Sequence, residues 1–173
     1  MSKAERTKAF IIEKTAPIFN KKGFAGTSLN DMTEATGLTK GSIYGNFANK
    51  DEVASAVFDY NLHKLNANVT AQFAKEKTAK GKLLVYVNNY EQIFNPSFKD
   101  GGCPILNTAV EADDTHPQLR KQAIKAVLAW KDKLIKILEE GKQNNEFNAA
   151  TDALIKKASI VILLPCFSFS LLV

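Results

Sequence analysis

Apolar residues recur at helical spacing along most of the chain, and this pattern predicts an all-α protein. Between Lys3 and about Lys22, the residues Ile12, Ala16 and Phe19 repeat every three or four positions, with Ile11 at the margin of the stripe. Gly23 then supplies the C-terminal stop of this first helix. No segment shows the strict alternation of a strand, and no internal repeat is present.

Two short helices joined by a glycine-containing turn are predicted next. Ser28, followed three residues later by Asp31, is a capping-box pattern that starts one helix, and Gly37 ends it. Thr39 can cap a further helix that runs from Lys40 to about Phe47. Two short helices connected in this way form a helix-turn-helix pattern.

The rest of the chain predicts a bundle of amphipathic helices. A long helix that begins at Asn49, with Glu52 as its capping partner, reaches about Lys77 and leads from the head into this body. Further helices are predicted over residues 81–94, 104–112, 117–140 with a stop at Gly141, and 151–164 with a stop at Pro165. We therefore expect a helix-turn-helix domain over residues 1–48 and a helical-bundle domain over residues 49–173.

Charge is distributed unevenly between these two parts. The 173 residues are 45% hydrophobic and 24% charged, which excludes a disordered chain because enough apolar surface is available to bury. The net charge is +5, and residues 1–50 carry eight basic against four acidic residues. A basic head on a nearly neutral body indicates a partner that is a polyanion.

The short helix after Thr39 is the candidate for reading DNA. Ile43 and Phe47 are four residues apart and point inward, while Gly41 allows close approach of the backbone to another surface. Such a helix fits a major groove about 12 Å wide. Hydroxyls and free amides at the start of the preceding helix, together with Lys50, favour phosphate binding. The candidate DNA contacts are Thr27, Ser28, Thr39, Lys40, Gly41, Ser42, Tyr44, Asn46 and Lys50.

Each of these assignments has a structural alternative. Tyr44 could be a core aromatic residue, and Thr27 could be only a second cap beside Ser28. Lys40 and Lys50 could be ordinary solvated lysines, although the helix-turn-helix context favours contact with DNA.

The same segment resembles the DNA-binding domain of the TetR family of bacterial transcriptional regulators, over roughly residues 6–60. The body resembles one common variant of that family more weakly. The resemblance implies a homodimer that binds palindromic double-stranded operator DNA and is released when a small effector binds in the body. The matching positions are Gly23-Phe24, Thr27-Ser28, Gly37, the run from Thr39 to Tyr44, Phe47 and Lys50 in the head, and Gly102-Cys103-Pro104, Glu111, Pro117 and Trp130 in the body.

A helical bundle can hold an apolar pocket in its core, so we expect a mostly apolar or aromatic effector. An alternative is that the same aromatic stripe is only core packing. A second alternative is a regulator without a small ligand, which responds to a protein partner or to oxidation of Cys103. The candidate pocket residues are Phe58, Leu62, Tyr86, Tyr90, Phe94, Cys103, Asn107 and Trp130.

Other function classes find little support in the sequence. Nothing predicts a nucleophile–base pair or converging carboxylates, so we expect no enzyme and no cofactor. Two cysteines and two histidines argue against a structural zinc site. We interpret Glu111, Asp113 and Asp114 as a helix end with its solvated turn. His116 is interpreted as part of the turn before the next helix. No signal peptide is visible, and the uncharged stretch 158–173 is shorter than the roughly 20 residues of a spanning helix, so we expect a cytoplasmic protein with no membrane partner.

Overall fold

The computed structural model describes residues 1–94 and 101–148, and these residues form α-helices and no strand. The prediction of an all-α fold is confirmed. The helices in chain order are α1 Lys3–Gly26, α2 Leu29–Thr36, α3 Lys40–Tyr44, α4 Lys50–Phe73, α5 Ala79–Phe94, α6 Pro104–Ala112 and α7 Pro117–Gln143.

The inner face of α1 differs by one position from the predicted stripe. Ile11 is fully buried, whereas Ile12 is only half-buried, because the buried face also includes Thr15. The Thr15 hydroxyl donates to the carbonyl of Ile11 at 2.7 Å, which allows this polar residue to lie in the core. Gly23 leaves the helical conformation with a φ of 73°, so the continuous part of α1 ends at the predicted glycine.

The helix-turn-helix forms from the predicted caps. The Ser28 hydroxyl accepts from the N–H of Asp31 at 3.1 Å, and the Asp31 carboxylate accepts from the N–H of Ser28 at 2.7 Å. Gly37 adopts the left-handed conformation with a φ of 66° and ends α2. The Thr39 hydroxyl caps α3. This helix is shorter than predicted, because the N–H groups of Asn46 and Phe47 both donate to the carbonyl of Ile43 in its last turn.

Helix α4 begins as predicted and ends earlier. The Asn49 side chain accepts from the N–H of Glu52 at 2.9 Å, and the Glu52 carboxylate accepts from the N–H of Ala48 at 2.6 Å. That backbone hydrogen bond holds the pKa of Glu52 below its usual value. The helix ends at Phe73 and not at Lys77.

The prediction that α7 stops at Gly141 is wrong, because the helix continues to Gln143. Gly141 is buried, and a side chain there would collide with the Phe147 ring and approach the Ala79 methyl group to 2.9 Å. The glycine therefore serves close packing against the start of α5. The predicted helix 151–164 and the apolar C-terminal stretch lie outside the described residues.

One hydrophobic core connects the head to the body. It runs from Ile11, Met32 and Ile43 in the head to residues of α6 and α7 such as Ala109 and Val127. A second, smaller cluster lies farther along the body and joins α4, α5 and α7. Across the described ranges, no helix is both long enough and apolar enough to span a bilayer.

Candidate functional site

Helix α3 has one buried side and one exposed side. Ile43 is fully buried and Phe47 is 3% exposed, whereas Thr39, Lys40 and Gly41 lie at the surface. A Cβ added at Gly41 would meet only the Thr39 hydroxyl, at 3.9 Å, so the backbone of α3 is open to a flat or grooved partner here. The exposed side is polar and carries one cation, which suits the edge of a nucleic acid groove.

Three other predicted DNA contacts lie at the margin of this surface. Ser42, Tyr44 and Asn46 are half-buried, and Tyr44 packs partly against the core. The Asn46 side-chain amide donates to the carbonyl of Ser42 at 2.9 Å, so its geometry is fixed by α3 itself. Tyr44 therefore fits both interpretations, because its ring packs partly against the core and part of its surface remains exposed for contact with DNA.

The start of α2 is already occupied by an acidic side chain. Asp31 forms an ion pair with Lys22 at 2.5 Å and also accepts the hydrogen bonds of Ser28. The hydrogen bond from Lys22, followed by those from Ser28, holds the pKa of the Asp31 carboxyl well below its usual range. A phosphate at this helix end would have to compete with Asp31 for the Ser28 donors.

Thr27 occupies a structural position in this conformation. It is fully buried, and its hydroxyl donates to the carbonyl of Gly23 at 2.6 Å. This hydrogen bond ties the end of α1 to the segment that precedes α2. Contact between Thr27 and a phosphate would require the residue to leave that buried position, so the geometry favours the structural interpretation.

Lys50 is held at the surface of the head by an aromatic ring. Its ammonium group lies 4.3 Å from the centroid of the Phe24 ring, which is cation–π geometry. The Phe24 ring also meets the His116 ring in an edge-on arrangement, with centroids 4.5 Å apart. The Gly-Phe turn after α1 therefore positions a predicted phosphate contact.

Glu111 connects the body to the same turn. Its carboxylate accepts the backbone N–H of Phe24 at 2.7 Å and that of Ala25 at 2.8 Å. Glu111 lies at the end of α6, as expected, but its carboxylate also completes the hydrogen bonding of a segment 87 positions away in sequence. No local sequence signal announces such a partner.

His116 lies in the turn before Pro117, as expected, and it also joins the two parts. Its Nδ1 accepts from the N–H of Leu119 at 3.2 Å and caps α7, while its Nε2 lies 3.0 Å from a carboxylate oxygen of Asp51. Because Nδ1 is the acceptor, the proton is on Nε2, and that N–H donates to Asp51 at the start of α4. The position before Pro117 could have indicated a capping residue.

Asn107 lies against α1 and not at the pocket where we expected it. Its amide donates to the carbonyls of Asn20 at 3.0 Å and Gly101 at 2.8 Å. In return, the Asn20 amide donates to the carbonyl of Gly102 at 3.1 Å. Asn107 and Glu111 are one turn apart on α6, so this helix holds the end of α1 at two points.

A cavity of about 70 Å³ lies between α4, α5 and α7, with Ile105 of α6 in its wall. Three predicted pocket residues, Leu62, Tyr86 and Trp130, line it. Phe58 instead borders a smaller space of about 30 Å³ at the junction of head and body. The described residues around the larger cavity are Leu62, Leu65, Asn66, Val69, Tyr86, Asn89, Ile105, Ala126, Ala129, Trp130 and Lys133.

Cys103, another of the pocket candidates, does not belong to this lining. Cys103 is 2% exposed and belongs to the core at the start of α6. The side chains of Tyr90 and Phe94 are outside the described part of the structure. Within residues 1–94 and 101–148, no three His, Cys, Asp or Glu side chains come together as a metal site would require.

Two family models match the sequence. The model described as bacterial regulatory proteins, tetR family, matches residues 11–57, which contain the helix-turn-helix. The model described as tetracyclin repressor-like, C-terminal domain, matches residues 79–166. The two matches correspond to the head and to the body that contains the cavity.

Individual relatives of the chain are transcriptional regulators as well. The HTH-type transcriptional regulator TtgR of Pseudomonas putida is 33% identical over 134 residues, which cover 72% of this chain and 60% of the relative. The HTH-type transcriptional repressor ComR of Escherichia coli is 31% identical over 97 residues, covering 56% of this chain and 46% of the relative. The chain thus spans at most about 60% of the length of these two curated relatives.

Solved structures match over a larger share. A TetR-family transcriptional regulator from Cytophaga hutchinsonii has 50% sequence identity and a TM-score of 0.83, with 94% of this chain and 80% of that chain covered. A TetR transcriptional regulator from Chloroflexus aurantiacus has 30% identity and a TM-score of 0.78, with 94% and 86% covered.

Proposed function

This chain belongs to the TetR family of bacterial transcriptional regulators, and we propose that it is a ligand-responsive repressor that binds a palindromic operator as a homodimer. The matched models and the relatives named above are regulators of transcription and not enzymes. The effector of this proposal is a small, mostly apolar molecule that releases the protein from DNA in the cytoplasm.

The division of α3 into a buried and an exposed side is the observation that carries this proposal. Ile43 and Phe47 anchor the helix, so Thr39, Lys40 and Gly41 are free to enter a major groove. Ser42, Tyr44 and Asn46 border that surface and take part in the contact. Ser28 and Lys50 approach the flanking phosphates, and Thr27 supports them from its buried position.

The division into residues 1–48 and 49–173 is part of the same proposal. The head supplies DNA contacts, and the body supplies the effector cavity and the contacts between subunits. Helix α4 spans from Lys50 at the head to Val69 at the cavity, so it belongs to both tasks.

Helix α6 offers a route by which an effector can act on the head. Ile105 lines the cavity, and on the same helix Asn107 and Glu111 hold the end of α1. A ligand that displaces Ile105 shifts α6, and a shift of α6 changes the position of α1 relative to the body. Ligand and operator then favour different arrangements of the two heads, which is a coupling by population shift.

The alternative in which oxidation of Cys103 or a protein partner replaces the ligand has less support. Oxidation proceeds through an accessible thiolate, and this thiol is buried at the start of α6. A Cys103→Ser variant that still releases DNA in response to a small molecule would exclude the oxidation mechanism.

Operator binding across a salt series is the experiment that tests the proposal. The protein is titrated against the DNA upstream of its own gene and against random DNA of equal length, with fluorescence anisotropy as the readout. We expect one preferred palindromic site occupied by two subunits, with affinity that falls steeply as salt rises.

Lys40→Ala provides the matched variant for this experiment. We expect it to weaken binding at all sequences and to reduce the salt slope by about 2, because the homodimer loses one phosphate or groove contact in each subunit. Lys136→Ala, which removes an exposed lysine of α7, should leave both quantities unchanged. Equal affinity for operator and random DNA in the folded protein would overturn the proposal.

A further inference from the structure

The cavity between α4, α5 and α7 has a strongly apolar interior and a charged opening. Val69, Ile105 and Ala126 are buried in its wall, while Lys133 is exposed and therefore lies where the cavity meets solvent. A ligand that fills the cavity thus meets hydrocarbon along most of its length and a cation at one end. This asymmetry matches an amphipathic molecule.

Lys133 is the one charged side chain among the described residues that line the cavity. Its ammonium group donates to the neutral amide oxygen of Asn66 at 3.2 Å, and no carboxylate of the described chain lies within ion-pair distance of it. Lys82, in contrast, is held by both carboxylate oxygens of Glu140, at 2.6 and 2.8 Å. Within residues 1–94 and 101–148 the positive charge at the opening thus has no acidic partner, and it favours an anion over a cation.

Tyr86 is a second lining residue that carries a hydrogen-bond donor. The residue is 9% exposed, and its ring packs edge-on against Phe73 with centroids 5.2 Å apart. Among the residues described, none accepts or donates a hydrogen bond at its hydroxyl. Burial raises the pKa of Tyr86 to about 12, so the group keeps its proton and offers it to an oxygen of the ligand.

Asn89 is the other buried polar residue of the described lining, and its side-chain amide already forms hydrogen bonds within the protein. Its oxygen accepts from Asn68 at 2.9 Å and from Gln72 at 3.3 Å, and its nitrogen donates to the carbonyl of Val85 at 2.7 Å. Lys133 and Tyr86 contribute an ammonium group and a hydroxyl to the lining, and the side-chain amide of Asn66 carries a further N–H donor. Donors of this kind select an acceptor such as a carboxylate.

We propose that the effector is a small amphipathic carboxylate whose apolar body packs against Leu62, Val69 and Ile105 and whose anionic group lies at Lys133 and Asn66. The inference rests on the proposed function, because it names the ligand class of the same effector cavity. At about 70 Å³, the cavity is smaller than the roughly 150 Å³ that hold a benzene molecule, so the proposal is limited to single-ring or short-chain acids and requires the walls to move apart on binding.

The single tryptophan of the chain makes this proposal directly measurable. Trp130 lines the cavity, so its fluorescence reports whether the cavity is occupied. The purified protein is titrated with benzoate and hexanoate as carboxylates, with benzamide as a neutral match and with benzylamine as a cationic match. We expect the carboxylates to bind on the order of tenfold more tightly than either match, because only they pair with the ammonium group.

Three variants separate charge, hydrogen bonding and general effects. Lys133→Gln should weaken the carboxylates about tenfold and leave benzamide unchanged, because only the charge is lost. Tyr86→Phe should weaken carboxylates and benzamide alike, because both present an oxygen to the hydroxyl. Lys136→Gln, on the same helix but away from the cavity lining, should change none of the affinities.

The outcomes also distinguish this inference from the regulator proposal. Equal affinity for the three kinds of probe, no fluorescence response to any carboxylate, or unchanged carboxylate binding in Lys133→Gln would each overturn the ligand class. A protein that binds its operator without binding carboxylates retains the regulator proposal and loses this one. A protein that binds carboxylates in a Lys133-dependent manner but does not bind its operator retains the ligand class and loses the regulator proposal.

Discussion

The carboxylate of Glu111 accepts a hydrogen bond from the backbone N–H of Phe24 at 2.7 Å, and through it α6 holds the turn that ends α1. The ring of the same Phe24 lies under the ammonium group of Lys50. One residue of the head is thus held by the body through its backbone and holds a cation of the DNA-binding surface through its side chain. A change in α6 is therefore transmitted to the surface that faces DNA.

Replacing Glu111 with alanine should lower the free energy of unfolding by about 1–3 kcal/mol, because two backbone N–H groups lose a charged acceptor. Urea denaturation followed by circular dichroism measures this change. Glu139→Ala removes an exposed carboxylate of α7 and should change the stability by no more than about 0.5 kcal/mol. If the two variants are equally stable, Glu111 does not hold the head in solution.

Replacing Gly41 with alanine should separate folding from DNA binding. A methyl group at this position meets open space, and alanine favours the helix, so the stability should be unchanged or rise by up to about 1 kcal/mol. Operator affinity should nevertheless fall on the order of tenfold, because the methyl group keeps the α3 backbone away from the groove. Thermal melting and anisotropy give the two values, and unchanged affinity would show that α3 does not approach DNA through this residue.

Asp31 should make the head sensitive to acid. Its pKa is lowered in the folded protein, so its contribution to stability is complete above the ordinary aspartate value of 3.8 and is lost as the pH falls through the lowered value. Asp31→Asn should therefore be less stable than the parent near neutral pH, and the difference should shrink in strong acid. Thermal melts from about pH 7 to about pH 2 measure this change.

Glu34→Gln is the matched control for that series, since Glu34 is an exposed carboxylate of the same helix. Its stability difference from the parent should stay small and should vary little with pH. A difference for Asp31→Asn that also stays constant down to the lowest pH would show that the ion pair with Lys22 does not stabilise α2 in solution.

Replacing Gly141 with alanine should destabilise the far end of the body by about 1–3 kcal/mol, because the new methyl group collides with the Phe147 ring. The same substitution at Gly41, where space is open, is the natural comparison. Both are glycines within a helix, so the helix propensity gained is similar and the difference between them reports the packing alone. Equal melting temperatures would show that Phe147 does not cover Gly141.

Local signals in the sequence predicted most of the helix starts. Ser28, Thr39 and Asn49 cap their helices through bonds to a residue three positions later, and such bonds depend only on nearby sequence. The same signals failed at Gly141, where the cause is a ring that returns to the helix after its end. The sequence alone does not distinguish a glycine that ends a helix from a glycine that is needed for close packing.

In the candidate site, too, some features follow from local sequence and others depend on the tertiary structure. The exposed side of α3 follows from the spacing of Ile43 and Phe47. Thr39, Lys40 and Gly41 are exposed as expected, whereas Ser42, Tyr44 and Asn46 are half-buried. The partners of Glu111 and His116 lie 87 and 65 positions away, so only the tertiary structure brings them together. The buried state of Thr27 and the displacement of Asn107 from the cavity depend on how α6 packs against α1, which hydrophobic periodicity does not encode.

Gly23 has a consequence for how this protein can change in evolution. Its φ of 73° disfavours any side chain, and a Cβ there would collide with the Glu111 carboxylate. A side chain at position 23 would displace the Glu111 carboxylate from the N–H groups of Phe24 and Ala25, and loss of Glu111 relaxes one of the two constraints on Gly23. The two positions, one in the reading head and one in the sensing body, are therefore expected to be inherited as a pair.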